Sequence, residues 1–216
     1  MEKWKKIPLD DRIQYVIVWL MRLALVVAMV WTIFLAQWSM LAITALALVL
    51  TWLPALIESG YKVQLPVEFD LIIVLFVFAG IFLGEVGDAY SLFWWWDAAL
   101  HTASGVVLSF GGFLILYTLY YQKRLRANPI TFAIFTFAFG MAAGGIWEIF
   151  EYTMDELFGL NMQKSGLHDT MSDLIVDAIG SLAVSIMGYR YVKNDSKGFI
   201  AKAIQSFLKH NPQLKR

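Results

Sequence analysis

Carboxylates and imidazoles recur at helical spacing in three separate apolar stretches of this chain. Asp169, Asp173 and Asp177 are four residues apart. On a helix they form one acidic stripe, about 12 Å long at ~1.5 Å per residue. Asp97 and His101 are also four apart, at the start of a second apolar stretch. Glu148, Glu151 and Asp155 share one face near the end of a third. A carboxylate at the centre of a bilayer costs ~2.5–3.5 kcal/mol on insertion scales, so stacked acids need compensation. Divalent metal is one form of it: carboxylate oxygens suit Mg, Mn or Ca, and imidazole extends the choice to Zn or Fe. Glu-x-x-Glu and Asp-x-x-x-His each place two ligands on one helix face, as in the metal centres of helical bundles. Protonation of acids in a low dielectric is another form, and pairing with Arg22 a third. One arginine cannot balance so many acids.

The elements that must position these groups are membrane spans. The chain has 216 residues, 59% of them hydrophobic, and a mean hydropathy of +0.63, which points to an all-α, polytopic membrane helical bundle. A net charge of zero suggests no nucleic-acid partner, and the absence of cysteine excludes disulfides and thiolate chemistry. Six spans are expected, at about 13–36, 40–57, 70–83, 95–120, 129–155 and 169–191. The first is too long for a signal-peptide core and reads as a membrane helix. Trp94, Trp95 and Trp96 read as an interfacial belt. Gly140 and Gly144 form a GxxxG, with Gly145 beside them, and Ala103-Ser104-Gly105 lies in the fourth span; these small residues imply close helix packing.

Basic residues set the expected orientation. Lys3, Lys5, Lys6, Arg12, Lys62, Lys123, Arg124, Arg126, Arg190, Lys193, Lys197, Lys202, Lys209, Lys215 and Arg216 fall on one side of a six-span chain, and only Lys164 on the other. The positive-inside rule then places both termini in the cytoplasm. Residues 1–192 are read as the six-span domain, and 193–216 as a cytoplasmic tail. In the tail Phe199, Ile200, Ala203, Ile204, Phe207 and Leu208 recur at helical spacing. An amphipathic helix on the membrane surface is expected there, with packing against the bundle as the alternative. With this topology Asp97, His101, Glu148, Glu151, Asp155, His168, Asp169, Asp173 and Asp177 all lie toward the outer ends of spans four, five and six.

Each group also has an ordinary explanation. Asp155 and Asp169 fit solvated helix ends, with Asp169 able to cap its helix. His168 fits a loop, and His101 fits a structural partner of Asp97. Trp147 and Tyr152 fit packing or anchoring. Asp173, Asp177 and Glu148 lie deeper in apolar sequence and fit such roles least.

Asp97-x-x-x-His101 in one span, Glu148 in the next, and Ser172-Asp173-Leu174 with Asp177-Ala-Ile-Gly180 in the last resemble the VanZ-like membrane proteins, over about Trp96 to Gly188. The whole chain, with Trp-Glu-Ile-Phe-Glu-Tyr at Trp147–Tyr152, is similar to the YjdF-like family of predicted bacterial inner-membrane proteins. The chain departs from the VanZ-like pattern at Asp177, where asparagine is usual, and at Glu151, where glutamine is often found. Both departures make the site more acidic. The resemblance implies a bacterial inner membrane and a link to glycopeptide resistance and the cell envelope, without a settled chemistry.

The functional expectation is a metal-dependent hydrolase or transferase acting on a lipid or lipid-linked envelope substrate. Asp97, Glu148, Asp173 and Asp177 would ligate Mg, Mn or Zn, and His101 or Glu151 would be the general acid/base. The alternatives are a cation- or proton-coupled transporter and a non-catalytic envelope protein with a structural metal. Membrane lipid is the expected partner, and a homo-oligomer is left open. The topology is checked by single cysteines in this cysteine-free chain. Ser165→Cys should react with an impermeant thiol reagent in intact cells and Ser196→Cys should not; the reverse pattern would invert the orientation.

Overall fold

The computed structural model describes residues 9–61, 67–159, 161–194 and 198–212. Lys3, Lys5, Lys6, Lys62, Lys197, Lys215 and Arg216 of the charge pattern lie outside the described residues. The described residues are mostly helical, with no strand among them. Six helical segments are long and apolar enough to cross a membrane: Asp11–Phe34, Met40–Gly60, Glu68–Val86, Trp96–Tyr121, Pro129–Phe158 and Leu167–Asn194. The six-span expectation is met, with boundaries shifted by a few residues.

The chain forms two compact units, residues 1–94 and 95–216. The first holds α1 (Leu9–Phe34), α2 (Trp38–Leu50), α3 (Leu53–Tyr61) and α4 (Val67–Val77). A π-helical stretch (Phe78–Val86) and the short α5 (Ala89–Leu92) follow. The second expected span breaks between α2 and α3, just before Pro54, a residue with no amide hydrogen to continue a helical ladder. Arg22 sits at this break. Its Nη2 donates to the Thr51 carbonyl at 2.6 Å and its Nε to Thr51 Oγ1 at 3.2 Å. Asp70 lies 3.8 Å from the same guanidinium, which also stands over the rings of Trp52 and Trp19. A buried cation thus has acceptors, a counter-charge and two aromatic faces within its own unit.

The second unit is a three-helix bundle of α6 (Trp96–Tyr121), α7 (Pro129–Phe158) and α8 (Leu167–Asn194), followed by α9 (Phe199–His210). Asn128 caps α7 by accepting from Thr131 N at 2.8 Å, with Pro129 at the first helical position. Gly159 ends the helix at φ 64°, the left-handed conformation that glycine adopts without strain. The helix runs on past Asp155 to Phe158, which shortens the following loop. The apolar flanks face outward, with Ile134, Ile146, Ile149 and Ile175 all exposed, as expected where lipid rather than water is the solvent.

What holds the bundle is backbone proximity at glycine. A Cβ on Gly180 would stand 2.5 Å from the Thr102 carbonyl, and one on Gly105 2.7 Å from the Asp177 carbonyl. These contacts bring α6 and α8 together, running parallel, with α7 antiparallel to both. Gly140 and Gly144 face inward, and a Cβ on either would run into Ser109, Ser181 or Asp177. Gly145 faces open space. Of the two expectations for the tail, the contacts of α9 accord with packing against protein. Ile200, Ala201, Ile204 and Phe207 of α9 are buried within the protein, and α9 contacts α8. Lys202 and Lys209 are exposed. The apolar stripe meets protein rather than a lipid surface, a choice that periodicity alone cannot make.

These contacts predict opposite effects for two glycine substitutions. Gly180→Ala should cost about 1–3 kcal/mol, because the new methyl has only rigid backbone to displace. Gly145→Ala should be neutral, or stabilising by up to ~1 kcal/mol through helix propensity. Thermal melts of the purified proteins in one detergent make the comparison.

Candidate functional site

The glycine-mediated approach of the three helices sets a histidine among carboxylates. His101 lies on the second turn of α6 and is 7% exposed. Its Nδ1 is 3.3 Å from Asp177 Oδ2, on α8. Its Nε2 is 3.9 Å from each of three oxygens: Asp97 Oδ1 on α6, Glu148 Oε1 on α7 and Asp173 Oδ2 on α8. These separations exceed a hydrogen bond. All three helices therefore contribute, as the shared position of their acids along the spans implied.

Asp177 is fully buried, in space that Gly144 leaves by lacking a side chain. Its Oδ1 lies 3.1 Å from Ser104 Oγ, which is also 2.8 Å from the His101 carbonyl. One hydroxyl proton is shared between these two acceptors. The Asp177 carboxyl at Nδ1 favours the neutral tautomer protonated on that nitrogen. Nε2 then presents a lone pair toward three carboxylates. In that neutral form Nε2 and the three carboxylates would make a pocket for a cation, whereas an imidazolium would point its Nε2–H at them.

Glu148 sharpens this imbalance. It is 4% exposed, and neither of its carboxylate oxygens makes a close hydrogen bond. The Thr170 hydroxyl is the donor facing it, in a side-chain hydrogen bond looser than strict geometry. Glu151, three residues on, accepts from the Trp147 indole N–H at 2.9 Å and is within electrostatic reach of Glu148, His101 and Asp97. Asp97, His101 and Asp173 offer ligand atoms that lie within 4.8 Å of one another, a group that could hold a metal ion. With metal–ligand bonds of about 2.0–2.2 Å, atoms 3.9 Å apart can share one ion. Glu148 faces the same nitrogen, whereas Asp177 approaches the other side of the ring.

The structure gives Asp155 a role apart from this cluster, whereas Asp169 stays within electrostatic reach of Asp97, Glu148 and Asp173. Asp155 holds the loop between α7 and α8: its Oδ1 accepts from Met162 N at 2.7 Å and its Oδ2 from Gln163 N at 2.9 Å. Gln163 Nε2 donates to Thr170 Oγ1 at 2.7 Å. His168 is exposed. Asp169 lies in the first turn of α8, which begins at Leu167, so it is not a cap; there a negative charge suits the helix dipole. Lys164 is the residue that spacing arguments passed over as a site member. Its Nζ is 2.9 Å from Asp97 Oδ2, delivered by the loop that Asp155 pins. The available signal was its isolation as the one basic residue on its side of the expected topology. Trp147, expected to pack or anchor, supplies a hydrogen bond to Glu151 instead.

An acid- and histidine-bearing centre on three apolar helices, in a chain with six helical segments long enough to span a bilayer, fits a polytopic membrane protein with a buried polar centre. The family model described as predicted membrane protein (DUF2238) matches residues 17–194, and the chain belongs to that family. A protein of Thermotoga maritima, described as uncharacterized, is 28% identical over 141 residues, covering 63% of this chain and 70% of the relative. No solved structure matches.

The loop contacts make a local prediction. Asp155→Ala removes the acceptor for two backbone amides, so Met162 and Gln163 should exchange with deuterium at least tenfold faster, while the core of α6 exchanges unchanged. Hydrogen-exchange mass spectrometry reads both; unchanged exchange at Met162 and Gln163 would refute the pinning role.

Proposed function

We propose that Asp97, His101 Nε2, Asp173 and Glu148 hold a divalent metal ion, and that the protein is a membrane-embedded, metal-dependent hydrolase or transferase. The observation that carries this is the meeting of Nε2 with three carboxylate oxygens, each 3.9 Å away, drawn from three helices. The buried oxygens of Glu148, which make no close hydrogen bond and have His101 3.9 Å away, point the same way, because a poorly paired buried charge is destabilising. Mn, Mg or Zn fits a set of carboxylates with one imidazole. Asp177 is then an outer-shell group that orients His101 through Nδ1, in the manner of carboxylate–histidine–metal triads. The ion would polarise a phosphoryl or carbonyl oxygen and lower the pKa of bound water. With His101 acting as a ligand, Glu151 takes the acid/base role, steadied by the Trp147 indole.

A lipid or lipid-linked envelope substrate is the class we favour. The acids lie within helices whose outer flanks are apolar, and Lys164 beside Asp97 suits an anionic headgroup. The YjdF-like resemblance of the whole chain, with Trp147–Tyr152, supports a place in the bacterial inner membrane, and the basic-residue bias supports cytoplasmic termini. A cation- or proton-coupled transporter is the second reading, favoured by the buried hydroxyls that continue from Asp177 into the bundle.

Purified protein should contain a tightly held divalent ion. Asp173→Asn should lose metal and stability together, and chelator should lower the wild-type melting temperature by several degrees. Binding at a hundred times the dissociation constant contributes about 2.7 kcal/mol to the folded state. Elemental analysis and melts with and without chelator test this. A metal-free wild type whose melting ignores both chelator and added divalent ions would overturn the metalloenzyme reading and advance the transporter.

A further inference from the structure

The end of the second unit opposite the acidic centre carries the reverse charge. The last turns of α6 and α8 and the first turn of α7 lie at that end. Lys123, Arg124 and Arg126 on the α6–α7 loop and Arg190 in the last turns of α8 are all exposed. None of the four side chains has an acid or a hydrogen-bond partner among the described residues. Every described acid of the unit, from Asp97 to Asp177, lies toward the other end of its helix. Tyr121, where α6 ends, is about 30 Å along the helix from His101.

The loop that presents three of these bases has a fixed backbone. Arg124 N donates to the Leu119 carbonyl at 3.0 Å and Lys123 N to the Tyr120 carbonyl at 2.9 Å, the paired bonds that close a helix C-terminus. Lys123 takes the left-handed conformation, φ 57°, that glycine usually supplies there. Asn128 caps α7 at the other end of the loop. Groups held ready in this way lose little freedom on binding. What surrounds the bases identifies the medium they meet. Tyr120, Tyr121, Leu125 and Ile130 are exposed among the loop bases, and Ile186 and Met187 are exposed one turn before Arg190. Large apolar side chains exposed beside cations suit the level where hydrocarbon gives way to headgroups, and tyrosine is at home there. The tail helix gives the contrast. The exposed residues described on α9 are Lys202, Gln205, Lys209 and His210, all polar, so that face suits water.

We propose that Lys123, Arg124, Arg126 and Arg190 form a collar that binds phospholipids of net negative charge at this end of the bundle. Three of the four are arginines, and a guanidinium grips a phosphate through two parallel N–H donors. A zwitterionic headgroup offers the same phosphate but brings its own ammonium, which four unpaired cations repel; a net-anionic headgroup brings none. The general bias of basic residues to one side of a membrane does not distinguish these bases from Lys202 and Lys209, whereas their apolar surroundings do. The collar is remote from His101 and rests on neither the metal nor the catalytic reading.

The test uses the whole protein in neutral detergent with equal amounts of phosphatidylglycerol and phosphatidylcholine, and native mass spectrometry counts the lipids retained. A base held at an anionic surface favours it about fivefold. The wild type should therefore retain phosphatidylglycerol over phosphatidylcholine by at least about tenfold, and added salt should reduce that ratio. The triple variant Arg124→Gln, Arg126→Gln, Arg190→Gln should bring the ratio close to even. The double variant Lys202→Gln, Lys209→Gln should keep it within about twofold of wild type. All five side chains are exposed, and melts in phosphatidylcholine alone check folding. If the triple variant does not fold, Arg124→Gln with Arg126→Gln carries the test and should lower the ratio at least about fivefold. An even ratio for the wild type, or an undiminished ratio for the arginine variant, would overturn the collar. A loss in the α9 variant as large as in the arginine variant would show general charge attraction and overturn it too. Polyglutamate binding to a wild type with an even lipid ratio would assign the bases to a soluble acidic partner instead.

Discussion

Everything in the second unit answers to an excess of carboxylate in a place where water is scarce. Asp97, Glu148, Glu151, Asp173 and Asp177 surround one imidazole, and Lys164 reaches the outermost of them. Desolvating a charge costs several kcal/mol, and attraction between partners offsets that cost only when geometry is good and remaining polar atoms are satisfied. Here Asp177 is satisfied by His101 and Ser104, whereas Glu148 makes no close hydrogen bond. A cation among Nε2 and the facing oxygens would supply the missing term, which ties ligand binding to the stability of the bundle.

The glycines are the mechanical counterpart of this electrostatic demand. Carboxylates can meet across three helices only if backbones approach closely, and Gly105 and Gly180 permit that by putting carbonyl against glycine between α6 and α8. Gly144 is used differently: it leaves a hollow that the Asp177 carboxylate fills. Small residues in membrane bundles commonly serve packing; here one of them serves to place a charge. The first unit handles its own buried charge by the opposite strategy. Arg22 is matched by Asp70, two acceptors on Thr51 and two indole faces, so nothing external is needed to balance it.

Helix count, span positions and the acids and histidine at the centre of the cluster were legible in sequence because each is a property of one periodicity; Lys164 was not. Runs of about 20 apolar residues mark spans, and i, i+4 spacing of Asp97 with His101 or Asp173 with Asp177 marks a face. Antiparallel order along six spans then brings Asp97, Glu148 and Asp173 to one level. The break at Thr51–Trp52 and the π-helical stretch from Phe78 to Val86 were not legible. Both depend on side-chain and backbone bonds made across helices, which hydropathy does not contain.

Sequence by itself determined that this is an all-helical, six-span chain with acids and histidine gathered near one end of its last three spans. Only the tertiary structure decided how the gathered groups divide. Asp177 sits on Nδ1 while Asp97, Glu148 and Asp173 face Nε2; Asp155 ties down a loop, and the tail's apolar stripe is buried in protein. It alone revealed hydroxyls without partners beneath the site. The physical reason is that spacing along a helix specifies which residues share a face, whereas the rotation of that face, and the partner it meets, are set by close contact between backbones.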